Sequence, residues 1–466
     1  MTAIHYLTLT DTWRRIKRGE LSSLEVTEHL LRRIDRMQGE LRPYVMVMRE
    51  QALERAAALD AESASGGVLG LLHGVPVAVK DLLFTEGLAT ASGTLVMKNF
   101  IPEEDATAVR ALKDAGAVLI GKTQLTEGAF STHHPQVDVP QNPWNHERWP
   151  GVSSSGSGVA VAAGMAYGAL GSDTGGSIRF PSASCGLVGI KPTYGRVSRS
   201  GAFALAESLD HIGPMARSVE DAARILQVIA GWDSADATTL DDEVPNYMSR
   251  SGQGINGMTV GVDWSYVSEG VADAVVQVVR DALAVLENLG AKVVEICMPE
   301  GISRLVTGWG VTCARECAAA HRGYFPERRD EYGPVLAQLL DSGLAVDEAS
   351  YQELEVSRSI FREDLERQFL EVDVLIAPTL VAPTPTWETI NGIVRQDDKV
   401  ADFINFTAPF DYSGHPTITM PFGLDEDGMP RSFQVIGRLV GEEDLMRVGA
   451  AFEAEVGSLP YEKLDG

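Results

Sequence analysis

Positive charge is scarce in this chain. Lys and Arg total 39 against 65 Asp and Glu, a net charge of −26 over 466 residues. That excludes a nucleic-acid surface built on bulk charge, and no nucleic-acid partner is expected. Cysteine is scarcer still: Cys185, Cys297, Cys313 and Cys317 are too few for a disulfide framework. No set of His, Cys and acidic residues has zinc-like spacing, so no metal site is expected. The cysteines read as small core residues, with Cys313 and Cys317 four apart on one helical face. Long hydrophobic runs are missing too. The longest weakly polar stretch, Val159 to Gly171, is too short and too rich in Ala and Gly to span a bilayer. Met1 to Lys17 has no apolar core of a signal peptide. A reducing cytoplasm with no membrane partner is the expectation. A Gly-x-Ser-x-Gly nucleophile elbow is also absent, and His133, His134, His146 and His211 stand in no motif.

What is present is ordinary globular material, 44% apolar and 22% charged. At roughly 100–200 residues per domain the length allows two to four domains or one large α/β unit. No linker, repeat or low-complexity segment divides it, which favours one domain over 1–466. Ser22-Ser23-Leu24-Glu25 forms a capping-box pattern before Val26, Leu30 and Ile34, and Gly19 ends an earlier helix with Trp13 and Ile16. A loop is expected at Ser63 to Gly67. Helical periodicity covers Asp105–Ala115, Val219–Ile229, Val271–Leu289 and Tyr351–Phe369. Short apolar runs predict strands at Val75–Val79, Val118–Ile120, Met258–Val262, Val293–Val294 and Val374–Ile376. Gly231 to Gly257 reads as a long surface loop. Strands alternating with helices predict an α/β fold.

Gly116-Ala-Val-Leu-Ile-Gly121-Lys122-Thr123 matches the phosphate-loop pattern letter for letter. The four residues between its glycines are themselves an apolar strand. A phosphate would meet Ala, Val, Leu and Ile there, so a buried strand ending in a turn is the better reading.

The informative stretch runs from Pro150 to Pro181. Ser153, Ser154, Ser155 and Ser157 form one small-residue cluster, and Asp173-Thr174-Gly175-Gly176-Ser177 another. An Ala/Gly-rich helix is expected between them. Glycines beside a serine let backbone N–H groups approach a ligand, as an oxyanion hole requires. Without a histidine in context, a neutral lysine is the alternative base, because burial disfavours the ammonium. Lys80 fits, at the end of the apolar strand Gly74–Val79.

Together these residues resemble the amidase signature family of serine hydrolases. Gly151-Val-Ser153-Ser-Ser-Gly156 through Asp173-x-Gly175-Gly176-Ser177-Ile-Arg179-x-Pro181 matches its pattern, and Pro76-Val-Ala-Val-Lys80-Asp81 its lysine motif. Gly121-Lys122-Thr123 with Glu127, Gln141-Asn-Pro-Trp, Gly186 to Arg196, Ser208 to Pro214 and Pro409 to Gly423 match as well. The likeness is dense over 70–230, beside an N-terminal helical segment of about 1–65. It implies a large mixed, twisted β-sheet covered by helices on both faces. It implies Ser177 as nucleophile, Ser153 as bridging serine after a cis Val152–Ser153 bond, and Lys80 as base. Backbone N–H groups of Thr174, Gly175, Gly176 and Ser177 would hold the oxyanion, with Ser154 supporting the lysine and Asp173 and Arg179 bracing the loop. The reaction implied is acyl transfer through an acyl-enzyme, without cofactor or metal, with a homodimer as the expected assembly.

Departures bear on substrate. Phe180 stands where glutaminase subunits of tRNA-dependent amidotransferases usually carry glutamine. Their substrate-anchoring arginine and aspartate fall near Glu331 or Tyr332 and near Ile404 or Asn405. A free amino acid's charged ends would lack partners. The expectation is an amidase for a small apolar or aryl amide, with Phe130, Phe180 and Trp309 as pocket walls and Thr132 and His133 as polar contacts. The alternatives are a glutaminase subunit, or else a carbamoyl or urea-type hydrolase, which would need a small, polar, arginine-lined pocket.

Overall fold

Local signals set the helices. Ser22 Oγ accepts from Glu25 N–H at 2.9 Å, capping the helix Ser23–Leu41, and Gly19 at φ 70° follows the helix Leu9–Lys17. The computed structural model describes residues 3–250 and 252–465, the side chain of Asp397 excepted. Met1, Thr2, Ser251 and Gly466, which fall within the N-terminal, loop and whole-chain readings above, lie outside the described residues.

Eleven strands form one sheet: β1 (Tyr44–Val47), β2 (Pro76–Lys80), β3 (Val118–Thr123), β4 (Gly168–Asp173), β5 (Val188–Lys191) and β6 (His211–Ala216), then β7 (Thr259–Val262), β8 (Lys292–Glu295), β9 (Val374–Ala377), β10 (Thr417–Leu424) and β11 (Pro430–Gly437). Their order is β1-β3-β2-β4-β6-β5-β10-β11-β9-β7-β8. β2 runs parallel to β3 and β4, and β7 to β8 and β9; the other pairs are antiparallel. Every residue of β2 to β6 is buried. Alternate residues face opposite sides of a sheet, so both faces are covered here. The sheet is mixed and the fold α/β, as the family resemblance implies.

Three local expectations need correction. The helix Arg49–Ala64 runs into the loop expected at Ser63 to Gly67. The helix expected between the two serine clusters is short, Ser155–Ala162, and the chain then enters β4. Its Ala and Gly serve a strand buried on both faces, where large side chains do not fit: a Cβ on Gly168 would lie 2.4 Å from Ile225. In the phosphate-loop look-alike, β3 continues through Gly121, Lys122 and Thr123 before any turn. Lys122 points at Asp81, 2.9 Å away, both buried.

Candidate active site

β2 ends in Lys80 and β4 in Ser172 and Asp173. The strands are parallel, with Val79 opposite Leu170, so these ends lie side by side. Carboxyl ends of parallel strands are where open α/β sheets bind ligands. Ser153 and Ser154 arrive just before the helix Ser155–Ala162, and the Val152–Ser153 peptide is cis.

Lys80 Nζ lies 2.6 Å from Ser153 Oγ, 2.9 Å from Ser172 Oγ and 3.0 Å from Ser154 Oγ. Among the described residues no carboxylate forms an ion pair with it. Burial pulls its pKa down to about 7, with the charges of Asp210 and Asp173 opposing that shift. Ser172 was not legible in the sequence, because only strand pairing sets it beside Lys80. Asp210 lay unassigned within the matched segment Ser208 to Pro214. It accepts from Thr174 Oγ1 at 2.5 Å and from the N–H groups of Leu205 and Ala206, and burial raises its carboxyl to about 6.

Ser177 is half-buried and faces a narrow pocket. Ser154 N–H donates to Ser177 O at 3.3 Å, tying the two serine clusters together. The Ser177 hydroxyl makes no hydrogen bond among the described residues, so the Lys80–Ser153 contact is formed and a Ser153–Ser177 hydrogen bond is not. Asp173 braces the loop. Its carboxylate accepts from the N–H groups of Gly176, Ile178 and Arg179 and pairs with the Arg179 guanidinium. Burial would raise that carboxyl, but Arg179 and the N–H donors hold it below its ordinary range. Arg179 in turn reaches Thr407 O at 2.9 Å and Asp411 Oδ2 at 2.6 Å; Asp411 lay unassigned within the matched segment Pro409 to Gly423, and Thr407 just before it.

One expectation fails here. Gly176 N–H is held by Asp173 Oδ1 at 2.6 Å and is not available to an oxyanion. The N–H groups of Gly175 and Ser177 meet no acceptor among the described residues. Gly176 has φ 132°, and a Cβ there would meet the Phe180 ring at 2.4 Å, so only glycine fits.

The pocket beside Ser177 has a volume of about 60 Å³. Phe130, Phe180 and Trp309 line it, with Trp149 and Val152. Ile390, Ile393, Val394, Val400, Phe403 and Ile404, in and around the short helices Trp387–Ile393 and Asp397–Phe403, supply the rest of the apolar wall. Those residues sit in a polar stretch with no motif, which hid them. Among the described residues no charged side chain lines the pocket. Thr132 and His133 do not line it either. Thr132 O is turned to Glu127 N–H at 2.8 Å, and His133 Nε2 lies 3.1 Å from Ser155 Oγ. Glu331 is half-buried and paired with Arg328, and Tyr332 is buried against His321, and neither lines the pocket; Ile404 does and Asn405 does not. A second cavity, about 860 Å³, has a mixed polar and apolar lining that includes Ser172, Asp210, Arg199 and Arg322, and it shares Ala129 with the apolar pocket. Among the described residues no helix is long and apolar enough to cross a membrane.

The family model described as Amidase matches residues 25–446. A Mycobacterium tuberculosis protein named "Putative amidase AmiD" is 44% identical over 455 residues, covering 98% of this chain and 95% of that protein. The A-type subunit of glutamyl-tRNA(Gln) amidotransferase from Roseiflexus sp. is 40% identical, covering 97% of each chain. The solved structure of peptide amidase from Stenotrophomonas maltophilia superposes with a TM-score of 0.82 at 30% identity, covering 97% of each chain.

Proposed function

The chain belongs to the amidase signature family, and from that premise we propose that it hydrolyses the C–N bond of a small apolar or aryl carboxylic amide. The apolar pocket beside Ser177, with no charged side chain among the described residues, carries this reading. Among the described residues no arginine lines the pocket beside Ser177, as a carbamoyl or urea-type substrate would need.

In the proposed mechanism Lys80 acts as the neutral base. As a neutral amine Lys80 would donate its two protons to Ser154 and Ser172 and offer its lone pair to the Ser153 hydroxyl, whose oxygen lies 2.6 Å away. Ser153 passes its proton to Lys80 and takes the proton of Ser177. Ser177 Oγ then forms a bond to the amide carbonyl carbon, and the carbonyl electrons move to oxygen. Backbone N–H groups of Thr174, Gly175 and Ser177 hold that oxyanion. Collapse breaks the C–N bond as the relay returns the proton to the leaving amine. Water, deprotonated by the same relay, cleaves the acyl-Ser177 ester.

The 40% identity to the A-type subunit of an amidotransferase favours a second reading, a glutaminase working with partner subunits. A free amino acid would leave its charged ends unpaired in this pocket, which weighs against it. The test is acyl release from anilides, aliphatic amides, carbamates and glutamine by wild type and Ser177→Ala. Turnover of aryl or aliphatic amides that vanishes in Ser177→Ala is expected. Turnover of glutamine alone, or only with partner subunits present, would replace the first reading with the second.

A further inference from the structure

We propose that Trp309 is a positioning residue that couples filling of the acyl pocket to the aim of the Gly175 N–H. This rests on the reading above, in which Ser177 is acylated and the segment 174–177 holds the oxyanion.

Trp309 lies on the helix Ile302–Ala320, far in sequence from the glycine loop. Its indole Nε1–H donates to Thr174 O at 2.9 Å. A peptide unit is planar and trans, so fixing the Thr174 carbonyl fixes the Gly175 N–H in the opposite direction. The next peptide is anchored at both ends. Gly175 O accepts from Thr407 Oγ1 at 2.6 Å, and Gly176 N–H is held by Asp173. Gly175 N–H therefore sits between two fixed peptide planes and has no acceptor of its own among the described residues. The indole also lies against Gly175, where a Cβ would come within 2.7 Å of Trp309 Nε1 and Cε2.

The same indole is a wall of the apolar pocket. It stacks on Phe130 with ring centroids 5.9 Å apart and planes 16° apart. One side chain thus touches the space for the acyl group and grips the carbonyl behind the oxyanion donor. An acyl group that fills the pocket packs against the indole and restrains it, which keeps the N–H aimed at the developing charge. Binding energy from a remote methylene then appears in kcat as well as in KM.

The experiment uses a p-nitroanilide series from acetyl to hexanoyl, with wild type, Trp309→Phe, and Trp309 replaced by benzothienylalanine. The last keeps the bicyclic shape and puts sulfur in place of the N–H, so it preserves folding if Trp309→Phe does not. Expected for either variant is a loss of about 10–100-fold in kcat, with KM within about twofold. A trifluoromethyl ketone inhibitor, which forms an oxyanion on Ser177, should weaken by the same factor, while the matching trifluoromethyl alcohol, which has no carbonyl to attack, should not. The rise of kcat with acyl length should flatten. An unchanged kcat, or a loss confined to KM, overturns the proposal. Labelling of Ser177 by a fluorophosphonate in wild type, read by peptide mass, checks the underlying reading separately; no label there would sink both.

Discussion

A buried lysine is destabilising unless its neutral form is useful, because an ammonium loses its hydration inside a protein. Lys80 is fully buried, surrounded by three serine hydroxyls, and shifted to about 7 by that burial. On the proposed mechanism only the neutral amine is active, so kcat/KM falls as pH drops through 7. About a tenth of the sites are neutral one unit below that pKa, and about nine-tenths one unit above it. The negative charge of Asp210 favours the ammonium, so Asp210→Asn should move the acid limb to lower pH. A pH–rate profile of both proteins checks this; an acid limb that stays in place in Asp210→Asn would contradict it. The two serine clusters and Lys80 stand out in the sequence as small-residue patterns and the end of an apolar run, but only the family resemblance singles out Ser153 and Ser177 among the serines. Ser172 and Thr407 do not stand out, and Asp411 lay unassigned within the matched segment Pro409 to Gly423. Each acquires its role only when a strand end or a distant helix comes alongside.

At the scale of elements, helical periodicity and apolar runs served where the buried side chains are themselves apolar. The helix expected at Val219–Ile229 has those bounds, and Val374–Ala377 and Thr259–Val262 form strands where apolar runs predicted them. Periodicity failed where a strand is buried on both faces and built of small or polar residues. β4 reads Gly-Ala-Leu-Gly-Ser-Asp and β6 His-Ile-Gly-Pro-Met-Ala, and neither alternates. The Lys122–Asp81 pair at 2.9 Å ties β3 to the residue that follows Lys80. Asp81 also accepts from Ala91 N–H at 3.0 Å. Lys122→Met should therefore lower stability by about 3–5 kcal/mol, the usual effect of stranding one partner of a buried pair. Urea unfolding at pH 7 measures it. A change under about 1 kcal/mol, or loss of nucleotide binding as the main effect, would contradict a structural role for Lys122.

At the scale of the whole molecule, the sheet order was the least legible feature. β10 and β11 come from the last part of the chain yet sit between β5 and β9. Hairpin geometry pairs β10 with β11, but nothing local names their outer neighbours. This placement makes both halves of the chain share one hydrogen-bonded sheet. The two ends meet as well, through Arg33 and Asp465 at 2.7 Å. The chain should therefore unfold as one cooperative unit, with helix signal and amide hydrolysis lost together in urea. Two separated transitions would instead mean independent domains.

The acyl-enzyme tests the account most directly. Wild type, Ser177→Ala and Lys80→Ala would each be mixed with a slowly deacylating aryl ester, quenched in acid, digested and weighed. The account predicts an acyl mass increment on the peptide carrying Ser177 in wild type, none in Ser177→Ala, and at least about 1,000-fold slower labelling in Lys80→Ala. An increment on any other residue, or equal labelling of Ser177→Ala, would contradict it.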